Sequence, residues 1–242
     1  MTDPWQLIPG DPKSEWMIIA DHASNHVPPE IDLGIDPALL NTHIAIDLGV
    51  AELAAAICAA DHVPAILGGV SRLVVDLNRD PDDCALIPIT SDGHDIPGNR
   101  IDDSERRRRI ARYWQPYHDY VHHAATAGLL VSLHSFTPQL ATRPDEERPW
   151  EIGILYNQDD RAARIAIPLL KAAGVVVGDQ LPYSGKQLNA SMNRHGEAKG
   201  IPYLGIEVRQ DLISDPLSVL AWADRLIPAI RACADHFEDV TR

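Results

Sequence analysis

Two histidines close short apolar runs in the 242-residue sequence: His22 follows residues 16–20, and His134 ends residues 129–133. In α/β sheets, ligands gather at the carboxyl ends of strands, and a neutral imidazole is a good zinc ligand. Either histidine alone reads as a hydrogen-bonded loop residue. Together they look like two ligands of a zinc site spread across a sheet. A catalytic zinc takes a third protein ligand and keeps one position open for water. Asp47, just ahead of a helical segment, and Asn25, three residues after His22, are the two candidates. Asp47 is preferred, because a neutral amide is a weaker ligand than a carboxylate. The plainer readings are a helix N-cap for Asp47 and a loop residue serving nearby backbone groups for Asn25.

Other residues could complete the chemistry. In Ile206-Glu207-Val208-Arg209 a period of two puts Glu207 and Arg209 on one face of a strand, opposite Ile206 and Val208. A carboxylate at the end of a core strand is costly unless it is paired or functional. Either Glu207 pairs with Arg209, or Glu207 takes a proton from an activated water and Arg209 holds substrate or tunes the base. Asp76-Leu77-Asn78-Arg79-Asp80 also ends an apolar run, and Arg79 offers a planar fork suited to a carboxylate. Arg100 and Arg194 are further arginines that could face a pocket. His118 and His122 share a helix face at i, i+4 spacing, with His123 beside them. Without an intervening glutamate base this cluster reads as structural or surface. Cys84 has nothing adjacent that would activate a thiol. Serine-hydrolase elbows, phosphate loops and dinucleotide fingerprints are missing from the sequence.

The elements that must position these groups alternate in the α/β manner. Strands are expected over residues 16–20, 64–67, 73–77, 129–133, 152–156, 174–177 and 203–208, mostly apolar throughout, as strands covered on both faces are. Helices are expected over 48–60, 104–127, 160–173, 188–198 and 216–237. In the second, Asp103 or Ser104 caps the start, Glu105 sits in the first turn and Gly128 follows the end. The four arginines 106–109 spread around that helix and are compensated by nearby acids, so they form no basic patch. Two long polar stretches, 79–99 and 135–150, are expected to be ordered loops around a site.

The length fits one domain over residues 1–242. With 35 acidic and 21 basic residues the formal charge is −14, which disfavours a nucleic-acid partner. A composition 45% hydrophobic and 23% charged supports a packed core. No stretch approaches the ~20 apolar residues of a membrane helix, and Met1-Thr2-Asp3-Pro4-Trp5 does not read as a secretory signal. Three scattered cysteines, Cys58, Cys84 and Cys233, are no disulfide framework. A cytoplasmic protein is expected.

The run of motifs Asp21-His22-Ala23-Ser24-Asn25-His26-Val27-Pro28, Asp76-Leu77-Asn78-Arg79, Ser91-Asp92-Gly93, Pro97-Gly98-Asn99, Pro116-Tyr117-His118, His134-Ser135-Phe136-Thr137-Pro138, Arg148-Pro149-Trp150 and Ile206-Glu207-Val208-Arg209-Gln210-Asp211 resembles the N-formylglutamate amidohydrolase family over about residues 17–214. Members resemble zinc exopeptidases of the carboxypeptidase type. The resemblance implies a single three-layer α/β/α domain with a mixed, mostly parallel central sheet. It also implies one zinc, or another divalent metal, per chain, and a place in amino-acid catabolism, within histidine degradation. It puts His22 and His134 on the histidine ligands, Glu207 on the general base, and Asn78-Arg79 on the pair that holds a substrate carboxylate. The peptidases carry His-x-x-Glu where this chain has His22-x-x-Asn25, so Asp47, lying where the family carries an acid, replaces that ligand. At the first histidine this chain has Asp21-His22-Ala23-Ser24 in place of Pro-His-Ser-Gly. The implied reaction is hydrolysis of N-formyl-L-glutamate or a similar small acidic N-acyl amino acid. The alternatives are a zinc amidase or carboxypeptidase acting on another N-acyl amino acid or small peptide, and a catalytically silent binder of an acidic metabolite.

Overall fold

Most of the apolar runs assemble into one twisted sheet, seen in a computed structural model that describes residues 3–126 and 128–241. Strands β1 (Trp5–Ile8), β2 (Trp16–Ala20), β3 (Ala65–Gly68), β6 (Leu129–Phe136), β7 (Ile152–Leu155), β8 (Val177–Asp179) and β9 (Tyr203–Arg209) lie in the order β1-β3-β2-β6-β9-β7-β8. A separate hairpin joins β4 (Thr90–Ser91) to β5 (His94–Asp95). The central strands β3, β2, β6 and β9 run parallel, whereas β1 on β3 and β7 on β9 are antiparallel. The sheet is therefore mixed and mostly parallel. Helices α1 (Val50–Asp61), α4 (Arg161–Ala172) and α6 (Pro216–Thr241) cover one face. There they pack on Ile18, Val131, Leu133, Ile206 and Val208. On the other face Met17, Ile19 and Leu130 meet Tyr113, Trp114, Tyr117 and Met192, from the region of α2 (Asp103–Arg109), α3 (Gln115–Ala124) and α5 (Ala190–His195). Period-two alternation within each strand feeds these two cores.

The run 73–77 is not a strand. Its carbonyls are taken by side chains rather than by a ladder: Asn99 Nδ2 donates to Leu73 O, Arg109 Nη1 to Val74 O, and Ser191 Oγ to Leu77 O. An apolar run alone does not separate such a buried irregular segment from a strand. The helix expected over 104–127 is also interrupted. Asp102, not Asp103 or Ser104, caps α2 by accepting from Glu105 N, and residues Ile110–Trp114 widen into a π-turn before α3. Pro116 lacks the N–H that would reach back along the helix, which accounts for the widened turn. Ala127, where the expected helix ends, and Met1-Thr2 lie outside the described residues.

The strand expected over 174–177 lies later, at Val177–Asp179. Gly174, at a φ of 82°, closes α4 first, and Val175 N–H then returns to Leu170 O. The helix expected over 188–198 shortens to α5 and a 3-10 turn over Glu197–Lys199. Edge strand β1, too short to show in the apolar pattern, was not expected from the sequence. Among the described residues, no helix is long and apolar enough to cross a membrane.

Candidate active site

The carboxyl ends of β2 and β6 and the approach to α1 bring three side chains together. His22 follows β2, His134 lies near the end of β6, and Asp47 precedes α1. Their ligand atoms lie within 4.8 Å of one another, and all three residues are buried. Gly68, in the neighbouring strand, makes this approach possible, because a Cβ there would collide with the backbone of Asp21. His22 Nδ1 is 3.4 Å and His134 Nδ1 2.8 Å from Asp47 Oδ2, so both imidazoles face one carboxylate oxygen.

Each histidine has a second carboxylate behind it. Asp76 Oδ1 lies 2.7 Å from His22 Nε2. Asp21 Oδ2 lies 3.5 Å from His134 Nε2, while its Oδ1 accepts a 2.6 Å bond from Tyr117 Oη. Arg72 forks between the acids, donating to Asp47 Oδ1 and Asp76 Oδ2 at 3.1 Å each. Burial alone would raise the pKa of Asp21, but His134, His22 and Tyr117 bring it down to about 2. Asp47 and Asp76 are likewise held far below the usual carboxylate range against their burial, by the histidines and Arg72. His134 is pushed well above its ordinary value: burial opposes the imidazolium, and Asp21, Asp47 and Glu207 outweigh it.

Glu207 stands opposite His134 in the β6–β9 register. Burial pushes its carboxyl up to about 7; the charge of Asp47 adds to this, and His134, Arg72 and His22 oppose it. Glu207 and the cluster line a cleft of about 220 Å³, together with Asn78 and Arg79. Asn78 Oδ1 accepts from Ser191 N–H, which leaves the amide nitrogen as its free donor group. Arg79 holds Asp83 only at 3.5 Å.

The donor set fits a divalent cation. Two imidazoles and a carboxylate converge, His22 Nδ1 is a buried nitrogen with no hydrogen-bond partner, and carboxylates stand behind both rings as they do in carboxylate–histidine–metal triads.

Several sequence expectations resolve differently. Asn25 donates to Asn41 Oδ1 on the exposed side and is not a member of the cluster. Asp47 is not the cap of α1, whose N-cap is Gly49. Arg209 is not beside Glu207 in the cleft lining. Its guanidinium is held by Asp211 and points at the carbonyls of Arg148, Pro149 and Trp150, because β9 has left the cleft by that residue. Arg100 pairs with Asp95 and Arg194 with Asp80, both away from the cleft lining. His118 is buried between Leu77 O and His195 Nε2, not paired with His122. Arg72 was not singled out from the sequence, and Asp21 and Tyr117 stood in motifs without a role assigned to them, since nothing in the chain's order joins Tyr117 to Asp21.

Residues 14–214 match the model of the N-formylglutamate amidohydrolase family. Among solved structures, the chain is similar to the gene product Atu2144 from Agrobacterium tumefaciens, with a TM-score of 0.88 and 27% identity over 99% of this chain and 97% of that one. It also shares the fold of the N-formylglutamate amidohydrolase from Ralstonia eutropha JMP134, with a TM-score of 0.60 and 18% identity over 93% of this chain and 98% of that one. No curated protein matches the sequence.

Proposed function

The chain belongs to the N-formylglutamate amidohydrolase family and is an amidohydrolase; from this we propose that it hydrolyses the amide of N-formyl-L-glutamate, or a similar small acidic N-acyl amino acid, with zinc held by His22, Asp47 and His134. The observation that carries this reading is the placement of Glu207 beside that cluster in a cleft also lined by Asn78 and Arg79. When bound, zinc supplies Lewis acidity, polarising the formyl carbonyl and acidifying water.

Arg79, with its loosely held fork, binds a substrate carboxylate and sets the formyl carbon within reach of Glu207. Glu207 takes a proton from the attacking water. A carboxyl raised to about 7 is matched to that task near neutral pH. The hydroxyl joins the formyl carbon, the C–N bond breaks, and Glu207 returns the proton to the departing amine. Formate and glutamate leave, a product pair suited to amino-acid catabolism such as histidine degradation. Three free thiols, two of them buried, suit a reducing cytoplasm. Asn25, the neutral residue at the expected ligand position, is engaged with Asn41, and Asp47 supplies the carboxylate of the cluster.

The test is metal analysis of untagged protein, coupled to formate release from N-formyl-L-glutamate with and without added zinc. One zinc per chain with metal-dependent release supports the proposal. Metal without release retains the site and rejects the substrate; release that ignores both chelator and zinc rejects the metal.

A further inference from the structure

The cleft does not end at the cluster. Beyond His43, Arg72 and Tyr183, which line both spaces, a second chamber of about 410 Å³ opens, and it touches neither Asn78 nor Arg79. The first space alone is smaller than the ~300–1,000 Å³ typical of ligand sites, and the two together fall within that range. A formyl group brings only one carbon and one oxygen, so it leaves the second chamber unused.

The chamber has a built wall. Hairpin β4–β5 turns at Asp92-Gly93, both at positive φ, as a two-residue hairpin turn requires. Asp92 then ties this hairpin to the loop after β6. Its carboxylate accepts from Ala141 N at 2.9 Å, Thr142 N at 3.0 Å and Thr142 Oγ1 at 2.7 Å, and lies 3.0 Å from His43 Nε2. Arg148, buried, donates to Tyr183 Oη at 2.9 Å and to Glu146 at 3.0 Å. The other charged groups of the lining are paired as well, Arg143 with Glu146 at 3.3 Å and Arg72 with Asp47 and Asp76, while Ser91 and Gln187 add neutral polar groups beside the apolar Leu140 and Pro182. Such a lining suits amide and hydroxyl groups. A fatty chain would desolvate these polar groups and return no hydrogen bonds.

Resting on the amidohydrolase reading above, we propose that the second chamber holds the acyl side of the substrate, and that this acyl group is a polar chain longer than formyl, of the aminoacyl or peptidyl kind. Arg79 and Asn78 hold the acidic amino acid that leaves as the amine. The amide between them is hydrolysed as before: water's hydroxyl joins the acyl carbon, its proton goes to the amine nitrogen, and the C–N bond breaks.

The test compares kcat/KM of the zinc-loaded enzyme on N-formyl-, N-octanoyl- and N-(glycylglycyl)-L-glutamate, for the wild type, Leu140→Trp and Gln187→Trp. The two variants narrow the chamber from different segments, so a folding failure in one leaves the other as the measurement. The expected result is a preference for the glycylglycyl substrate over the formyl one by about tenfold or more, worth ~1.4 kcal/mol. In each folded variant that ratio falls at least ~10-fold. A formyl or octanoyl preference, or a ratio that neither variant changes, overturns the chamber's assignment and leaves the amidohydrolase intact. Cleavage of none of the three rejects the underlying reading and this inference with it.

Discussion

Glu207 and His134 occupy paired positions on adjacent parallel strands, β9 and β6, and both lie on the side chain parity that faces away from α1, α4 and α6. A base and a candidate ligand are thus held side by side by a backbone ladder, the most rigid connection the fold offers. The distance between them depends on strand register, which cannot slip by one residue without turning Ile206 and Val208 out of the core.

The first prediction follows from that pairing. Glu207→Gln keeps the shape and removes the proton acceptor, so kcat falls roughly 10²–10⁴-fold with little change in KM. The base acts when deprotonated, so wild-type kcat/KM declines on the acid side, at a limb that burial and Asp47 raise to about 7 in the metal-free site. A cation in the cluster favours the carboxylate and moves this limb lower, never higher. Normal turnover in Glu207→Gln rejects the assignment.

Arg79 is expected to act in binding. Arg79→Ala should raise KM for N-formyl-L-glutamate about 10-fold or more while kcat changes much less. Steady-state kinetics on glutamate- and glutamine-derived substrates resolves the effect; a fall confined to kcat would place Arg79 elsewhere in the cycle.

Asp76 stands behind His22 at 2.7 Å, as an orienting carboxylate does. Asp76→Asn should weaken zinc binding roughly 10–100-fold, read by competition with a chelator. Unchanged affinity would mean that His22 does not need Asp76 to present its Nδ1.

The buried pair His118 and His195 sets an acid limit on stability. Burial lowers both, to about 4 and about 3, so between pH 6.5 and these values the unfolded chain binds protons that the folded chain does not. Stability is therefore lost as pH falls through that window, by up to about 1.4 kcal/mol per pH unit for each histidine. Urea unfolding of the apoprotein between pH 7 and pH 5 should show a shallower loss in the His118→Gln/His195→Gln double variant. Equal slopes would refute the account.

Asn99 is the staple of the segment that replaces a strand. Its Nδ2 serves Leu73 O and Pro88 O, and its Oδ1 accepts from Arg109 Nη1. Asn99→Ala leaves these buried groups unsatisfied, at a cost of about 3 kcal/mol. At this chain length the melting temperature drops by roughly 6–12 °C. A drop of less than 2 °C would show that the segment finds other partners.

The chain's order alone determined the α/β alternation, because apolar periodicity is local: β2, β6, β9, α1, α4 and α6 all follow from it. It also brought His22, Asp47, His134, Glu207 and Arg79 into view, since the ends of apolar runs and residue chemistry are visible in sequence, and the family resemblance added Asn78. Tertiary structure decided the rest. Only folding puts Asp76 and Asp21 behind the two histidines and Arg72 between the acids, joins Tyr117 to Asp21 across 96 positions, and turns Arg209 away from the cleft. These are contacts between distant segments, and no local pattern encodes which buried polar group will satisfy which. The same reason explains residues 73–77: their apolar pattern was that of a strand, and the later side chains of Asn99, Arg109, His118 and Ser191 claimed carbonyls a strand would have used.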